Sequence, residues 1–243
     1  MPPKPIFHLL RIMARLRAPD GCPWDREQDH RTLRYHAVEE TYELIDAIEA
    51  KDDTLIAEEL GDLLLQIVFH AQLAAERGAF DFDTVCRTLN QKLIRRHPHV
   101  FGEATARTAQ AVWAQWDRIK QAEKAGTRHA RASALDGIPR HLPALLRAEK
   151  LIKKGRKAGL ISHPPPAPRQ TRAQLGRELY RLAAAAQTRG WSAEFLLREE
   201  TRRQERALRR AERAGQSRPA RQPRAATVFA GDNPQSRQKN PRA

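Results

Sequence analysis

Two short acidic segments hold the residues most able to do chemistry: Glu39-Glu40-Thr41-Tyr42-Glu43 and Glu58-Glu59-Leu60-Gly61-Asp62. Glu40 and Glu43 are three residues apart, as are Glu59 and Asp62, so on helices each pair shares a face. Carboxylates forced together repel one another, and burial raises their pKa values. A cation removes that cost, and an all-oxygen set selects a hard ion, Mg²⁺, Mn²⁺ or Ca²⁺, over zinc. The bland alternative is that these glutamates form the solvated face of two surface helices. Against it, Glu59 and Asp62 are interleaved with Leu60, Leu63 and Leu64. Gly61 also sits inside a helical pattern where alanine is better by about 1 kcal/mol, which makes sense if something large approaches the backbone.

The elements that must position these residues are helical. Val38, Tyr42 and Ile45 step at three and four residues and predict a helix over about 34–50. Lys51-Asp52-Asp53 breaks it, with Asp53 or Thr54 as the cap of a second helix, about 54–77, that ends at Gly78. Its inward face is predicted to carry Leu60, Leu63, Leu64, Ile67, Val68 and Ala71. At about 1.5 Å of rise per residue, Glu40 and Glu43 lie roughly 14–18 Å before the turn and Glu59 and Asp62 roughly 10–15 Å after it. On antiparallel neighbours the two pairs reach overlapping heights.

A third helix starts near Asp83 and runs to the bar set by Pro98, and a fourth covers about 108–124. Lys92 and Arg96 are four apart on the third; Trp116 and Lys120 are four apart on the fourth. Cations and an aromatic ring beside a magnesium site suit a nucleotide, with phosphates on the cations and the base on the ring. His97 and His99, which bracket Pro98, read as structural rather than as metal ligands. No stretch alternates with period two, so the fold class is all-α. No glycine-rich phosphate loop is present.

Charge divides the chain. Residues 1–128 carry 18 Lys and Arg against 20 Asp and Glu, a net of −2; residues 129–243 carry 26 against 9, a net of +17. A nucleic-acid partner would therefore have to use the second part. There a helix of about 142–157 precedes the run His163-Pro164-Pro165-Pro166-Ala167-Pro168, read as extended. A last helical region, about 171–213, ends in an Arg-rich run, Arg198 to Arg213, and a tail rich in Pro, Gln, Arg and Ser is expected to be disordered. The Arg-rich run has little apolar face and few aromatics, and reads as a solvated helix. Cys22 and Cys86 are too few and too far apart for a disulfide scaffold or zinc site. No apolar stretch approaches the roughly 20 residues of a spanning helix, so a cytoplasmic protein without a membrane contact is expected.

With these segments in view, the chain resembles the all-α nucleoside triphosphate pyrophosphohydrolases of MazG type. The likeness rests on the two acidic segments and, in order, on Gly21-Cys22-Pro23-Trp24-Asp25, on residues 92–101 (Lys92 to Phe101), on Trp116-Asp117-Arg118-Ile119-Lys120 and on Leu135-Asp136-Gly137-Ile138-Pro139. It covers about residues 6–159. The resemblance implies a helical core that forms a homodimer and binds Mg²⁺ (Mn²⁺ as a substitute) through Glu40, Glu43, Glu59 and Asp62. It makes Glu39 a water-orienting carboxylate, and Lys92, Arg96, Trp116 and Lys120 substrate contacts. It also implies the reaction, a nucleoside triphosphate and water giving the monophosphate and pyrophosphate, in housekeeping of the nucleotide pool.

Proteins of this family and length usually repeat the domain. Here Gln174-Leu175-Gly176-Arg177 stands where a second acidic motif would be, with Arg177 at the aspartate position, and its preceding acidic helix is missing. The expected organisation is therefore a catalytic domain over 1–128, a linker helix over 129–160, a degenerate second repeat over 161–213 and a tail over 214–243. The rival reading is a catalytically silent helical protein that regulates, or binds nucleic acid through, its basic half.

Overall fold

The structure is a computed structural model and describes residues 4–124, 126–127, 130–162 and 170–216. Every regular element among them is helical, and the chain divides into two compact units, Met1–Ala122 and Glu123–Ala243. The proline run and the tail beyond residue 216 lie outside the described residues.

In the first unit the order is α1 (Pro5–Leu16), α2 (Pro23–Glu27), α3 (His36–Ala50), α4 (Asp53–Glu76), α5 (Phe82–Arg96), α6 (Pro98–Phe101) and α7 (Ala109–Ala122). The helices that carry the acidic segments, α3 and α4, pack along each other as an antiparallel pair. Their turn is Lys51, in the left-handed region at φ 57°, followed by Asp52. The cap of α4 is Asp52 and not Asp53 or Thr54: its carboxylate accepts from the N–H groups of Thr54 and Leu55. The helix ends before Gly78 as its sequence predicts, and α5 stops at Arg96 with Pro98 opening α6.

Sequence periodicity did not single out α1, yet it completes the core. Met13 and Leu33 bury themselves against Val68, Phe69 and Leu73 of α4, with Leu9, Leu10 and Leu16 alongside. Arg17 ties this end down, with its guanidinium on both oxygens of Glu76 (2.6 and 2.7 Å) and over the Phe69 ring. The turn from α1 into α2 passes so near the carbonyls of Arg15 and Leu16 that position 21 has no room for a Cβ, which accounts for Gly21.

One prediction fails on α4. Val68 and Ala71 are buried and Leu63 and Leu64 half-buried, but Leu60 (51%) and Ile67 (44%) are exposed, as are Val38, Tyr42 and Ile45 on α3. The periodicity identified apolar faces correctly, but α1 covers only one of them. The remaining stripe has no cover within the described chain.

The second unit holds α8 (Ala144–Lys157), α9 (Arg172–Gln187) and α10 (Ala193–Gln216). The helical region expected over about 171–213 is two helices, because Gly190 turns the chain at φ 70°, where side-chain-bearing residues are strained. The helix read as a linker, α8, packs on α10, burying Leu151, Ala144 and Arg147. Most of the Arg-rich run is solvated as its sequence predicts, with Arg202, Arg203, Arg206, Arg210 and Arg213 exposed, but Arg198 and Arg209 are half-buried and Glu205 joins a buried ion-pair chain. Arg147, 5% exposed, is bound to Glu205, which also accepts from Arg209 (2.7 Å), and Arg209 reaches Asp136 at 2.7 Å. Both Glu194 oxygens accept from the Ala144 N–H at 2.9 Å and so hold the start of α8. Leu175, Leu179 and Leu182 of α9 stay exposed.

Candidate metal centre

The α3–α4 pair brings three of the predicted ligands together. One carboxylate oxygen from each of Glu40, Glu43 and Glu59 lies within 4.8 Å of the other two. The i, i+3 step puts Glu40 and Glu43 on one face of α3, and the short turn at Lys51-Asp52 sets Glu59 opposite them. Asp62 lies outside this trio but is close enough to act on it.

Burial, then the negative charges of Asp62 and Glu43, raises the pKa of Glu40; burial, then Glu43 and Asp62, raises that of Glu59. The charges acting on both groups are other carboxylates. The Glu59 Oε2 atom is buried with no hydrogen-bond partner among the described residues, and Glu40 has a long contact, 3.5 Å, from the Gln66 amide and a hydrogen bond with Glu43. An orphaned, buried carboxylate oxygen in a set of oxygen donors fits a hard divalent cation. Glu39 points elsewhere, 65% exposed and 3.6 Å from His36. Gly61 is not needed for packing within the chain, since a Cβ there meets nothing within 4 Å.

The predicted substrate contacts sit on adjoining helices. Lys92 and Arg96 are half-buried on α5, which packs on both α4 and α7. On α7 the Lys120 ammonium stands 5.2 Å from the Trp116 ring centroid, and His97 meets that ring edge-on at 5.0 Å. The ring nitrogen Nδ1 of His97 contacts the Leu93 carbonyl at 2.7 Å. Trp113, tilted against Trp116 and 63% exposed, extends the aromatic surface and was not singled out by its sequence position. The Trp116 Nε1 and the His99 Nδ1 are buried without partners. Also missed was the stacked pair His30 and His70, whose Nδ1 atoms are 2.9 Å apart; forty residues of separation leave no local signal.

Comparison with known proteins points to one family. The MazG nucleotide pyrophosphohydrolase domain matches residues 28–101, which include all four acidic positions together with Lys92 and Arg96. A nucleoside triphosphate pyrophosphohydrolase of Escherichia coli K12 is 50% identical over 155 residues, 63% of this chain and 58% of that protein. The nucleoside triphosphate pyrophosphohydrolase/pyrophosphatase MazG of Thermotoga maritima is 42% identical over 187 residues, 77% of this chain and 69% of that protein. An uncharacterized 26.1 kDa protein of Streptomyces cacaoi is 40% identical over 200 residues, 82% of this chain and 78% of its own. The match thus spans little more than half the length of the E. coli relative.

Proposed function

Because the chain belongs to the MazG nucleotide pyrophosphohydrolase family, we propose that it hydrolyses nucleoside triphosphates to monophosphate and pyrophosphate with a divalent cation at the α3–α4 carboxylates. The observation that carries this reading is the cluster itself. Three glutamates from two helices converge within 4.8 Å, and among the described residues the charges acting on Glu40 and Glu59 are other carboxylates. Such a cluster costs stability unless a cation completes it.

Glu40, Glu43 and Glu59 would hold Mg²⁺, or Mn²⁺ in its place, with Asp62 as the fourth carboxylate. When bound, the ion supplies positive charge and Lewis acidity to the phosphate oxygens and the attacking water. Glu39, outside the cluster, takes the lesser role of orienting that water. Lys92, Arg96 and Lys120 neutralise the charge that builds on departing pyrophosphate, and Trp116 offers its ring to the base. Water attacks the α-phosphorus, its oxygen joins the monophosphate, and the α–β bridging oxygen leaves with pyrophosphate. The γ-attack route is disfavoured because nothing in the sequence forms the loop that typically cradles β- and γ-phosphates for it. The exposed apolar stripe on α3 and α4 supports assembly as a homodimer.

Hydrolysis in ¹⁸O-labelled water tests the assignment. Label in the monophosphate, with activity lost in EDTA and in Asp62→Asn, is expected. Early nucleoside diphosphate with free phosphate, or an Asp62→Asn protein at the wild-type rate, would overturn it.

A further inference from the structure

The segment Leu135-Asp136-Gly137-Ile138 is not used by the carboxylate site. It lies beyond the matched domain, and in the second unit it forms one wall of a cavity of about 580 Å³. The other wall is α10, through Arg202, Glu205, Arg206 and Arg209, with Arg140 and Arg147 completing the lining. Five arginines thus face two carboxylates. Both carboxylates are already engaged, Glu205 by Arg147 and Arg209, Asp136 by Arg209. That chain of two acids and two bases balances itself. Arg140, Arg202 and Arg206 are left over, and among the described residues none has a carboxylate partner.

The surplus is placed against the interest of stability. Arg202 and Arg206 are one helical turn apart, where like charges repel, and Arg209 lies on the same face. The Arg147 guanidinium, already taken out of water, has an Nη1 atom with no partner. All three surplus side chains are exposed while lining the cavity, so an anion arriving from solvent can reach them. Ligand cavities of roughly 300–1,000 Å³ are of small-molecule size, and guanidinium forks match phosphate geometry with paired hydrogen bonds. Among the described residues no aromatic side chain lines the walls, so recognition would rest on phosphates rather than on a base.

We propose that this cavity binds a polyphosphate group, carried either by free pyrophosphate or by a nucleoside triphosphate, through Arg140, Arg202 and Arg206. The site is independent of the carboxylate cluster and of the activity assigned to it.

Isothermal titration of the full-length Glu59→Gln protein in EDTA and low salt isolates the cavity, since metal-bridged binding at the carboxylates is then removed. Pyrophosphate should bind, and adding Arg202→Gln with Arg206→Gln should raise its Kd at least tenfold. Lysine at both positions should give an intermediate Kd, because charge is kept and the fork is lost. Both side chains are exposed and unpaired, so the variants should fold, as circular dichroism would verify. A triphosphate nucleotide binding more tightly than pyrophosphate makes the nucleotide the occupant; equal affinities make it the free polyanion. No binding of pyrophosphate, an unchanged Kd in the glutamine pair, or a loss confined to single-stranded oligonucleotide would overturn the proposal.

Discussion

Substituting Glu40→Gln should stabilise the protein without metal and destabilise it with metal. Three carboxylates within 4.8 Å repel one another when ionised at pH 8. At that separation a pair of unit charges costs about 0.9 kcal/mol in a water-like dielectric, and about 3.5 kcal/mol at an effective dielectric near 20. Glu40 is only half-buried, so solvent screening favours the lower figure. Relieving its repulsion with Glu43 and Glu59 is then worth about 1–2 kcal/mol. Little is lost in exchange, because glutamine keeps an oxygen for the long contact from Gln66. For a unit of this size such a gain raises Tm by roughly 3–10 °C.

Magnesium reverses the order. A ligand at a hundredfold its Kd stabilises the native state by about 2.7 kcal/mol, and the wild type should collect this in full while the variant, short of one ligand, should not. Thermal unfolding followed by circular dichroism, in EDTA and across a Mg²⁺ titration, gives both arms, with pyrophosphate release measured in parallel. The reasoning fails if Glu40→Gln is less stable than wild type in EDTA and gains as much from Mg²⁺. Glu40 would then be an ordinary helical carboxylate.

In the second unit, Glu205→Gln leaves the buried Arg147 uncompensated and should cost about 3–5 kcal/mol, whereas the apolar pair Arg147→Met with Glu205→Met should recover most of it; calorimetry of the two proteins checks this, and a loss under about 1 kcal/mol in the single variant refutes it. Burial and the neighbouring His30 hold the His70 pKa below its ordinary 6.5. The unfolded chain therefore takes up that proton first, and stability should fall as pH drops from about 6.5 through the folded value. His70→Gln should flatten this limb, and it is separable from the loss of the Glu205 and Asp136 ion pairs, whose pKa values lie below the usual carboxylate range and which fail only in stronger acid. If Trp116 carries the base, Trp116→Leu should raise KM about tenfold with little change in kcat; a kcat loss at constant KM would place the ring in the transition state instead.

What the sequence disclosed about this fold follows from what one-dimensional spacing can encode. Steps of three and four residues predict α3, α4, α5, α7 and α8 within a few positions, and an i, i+3 pair predicts a shared face. Helical rise fixes the height of Glu40, Glu43 and Glu59 relative to the turn. It does not fix the rotation of one helix about the other, so it could not say which of the four carboxylates would meet, and Asp62 stands outside the trio. Likewise, periodicity finds the apolar faces of Leu60 and Ile67 but not whether the chain covers them. The run from Arg198 to Arg213 reads as solvated because its sequence announces only local pairs, such as Arg203 with Glu200 and Arg209 with Glu205. Arg209 finds Asp136, 73 residues away, and Glu205 finds Arg147, 58 away, which no helical spacing announces.

Unbalanced charge is informative because folding tends to cancel what it buries. In the first unit the unbalanced charge is negative: Glu40, Glu43 and Glu59 converge, and among the described residues only carboxylates act on Glu40 and Glu59 and the Glu59 oxygen is unpaired. In the second it is positive: the Arg147–Glu205–Arg209–Asp136 chain cancels, and Arg140, Arg202 and Arg206 remain around a cavity. The sign of each remainder gives the sign of what completes it, a cation in one case and an anion in the other. Arg140, Arg202 and Arg206 are exposed, so what marks the second unit is their gathering around one cavity, where like charges repel, and not burial. The two remainders are independent, so neutralising one set should leave ligand binding at the other unchanged. Glu40→Gln should abolish the Mg²⁺ response and spare pyrophosphate binding in EDTA, and the Arg202→Gln, Arg206→Gln pair should do the reverse.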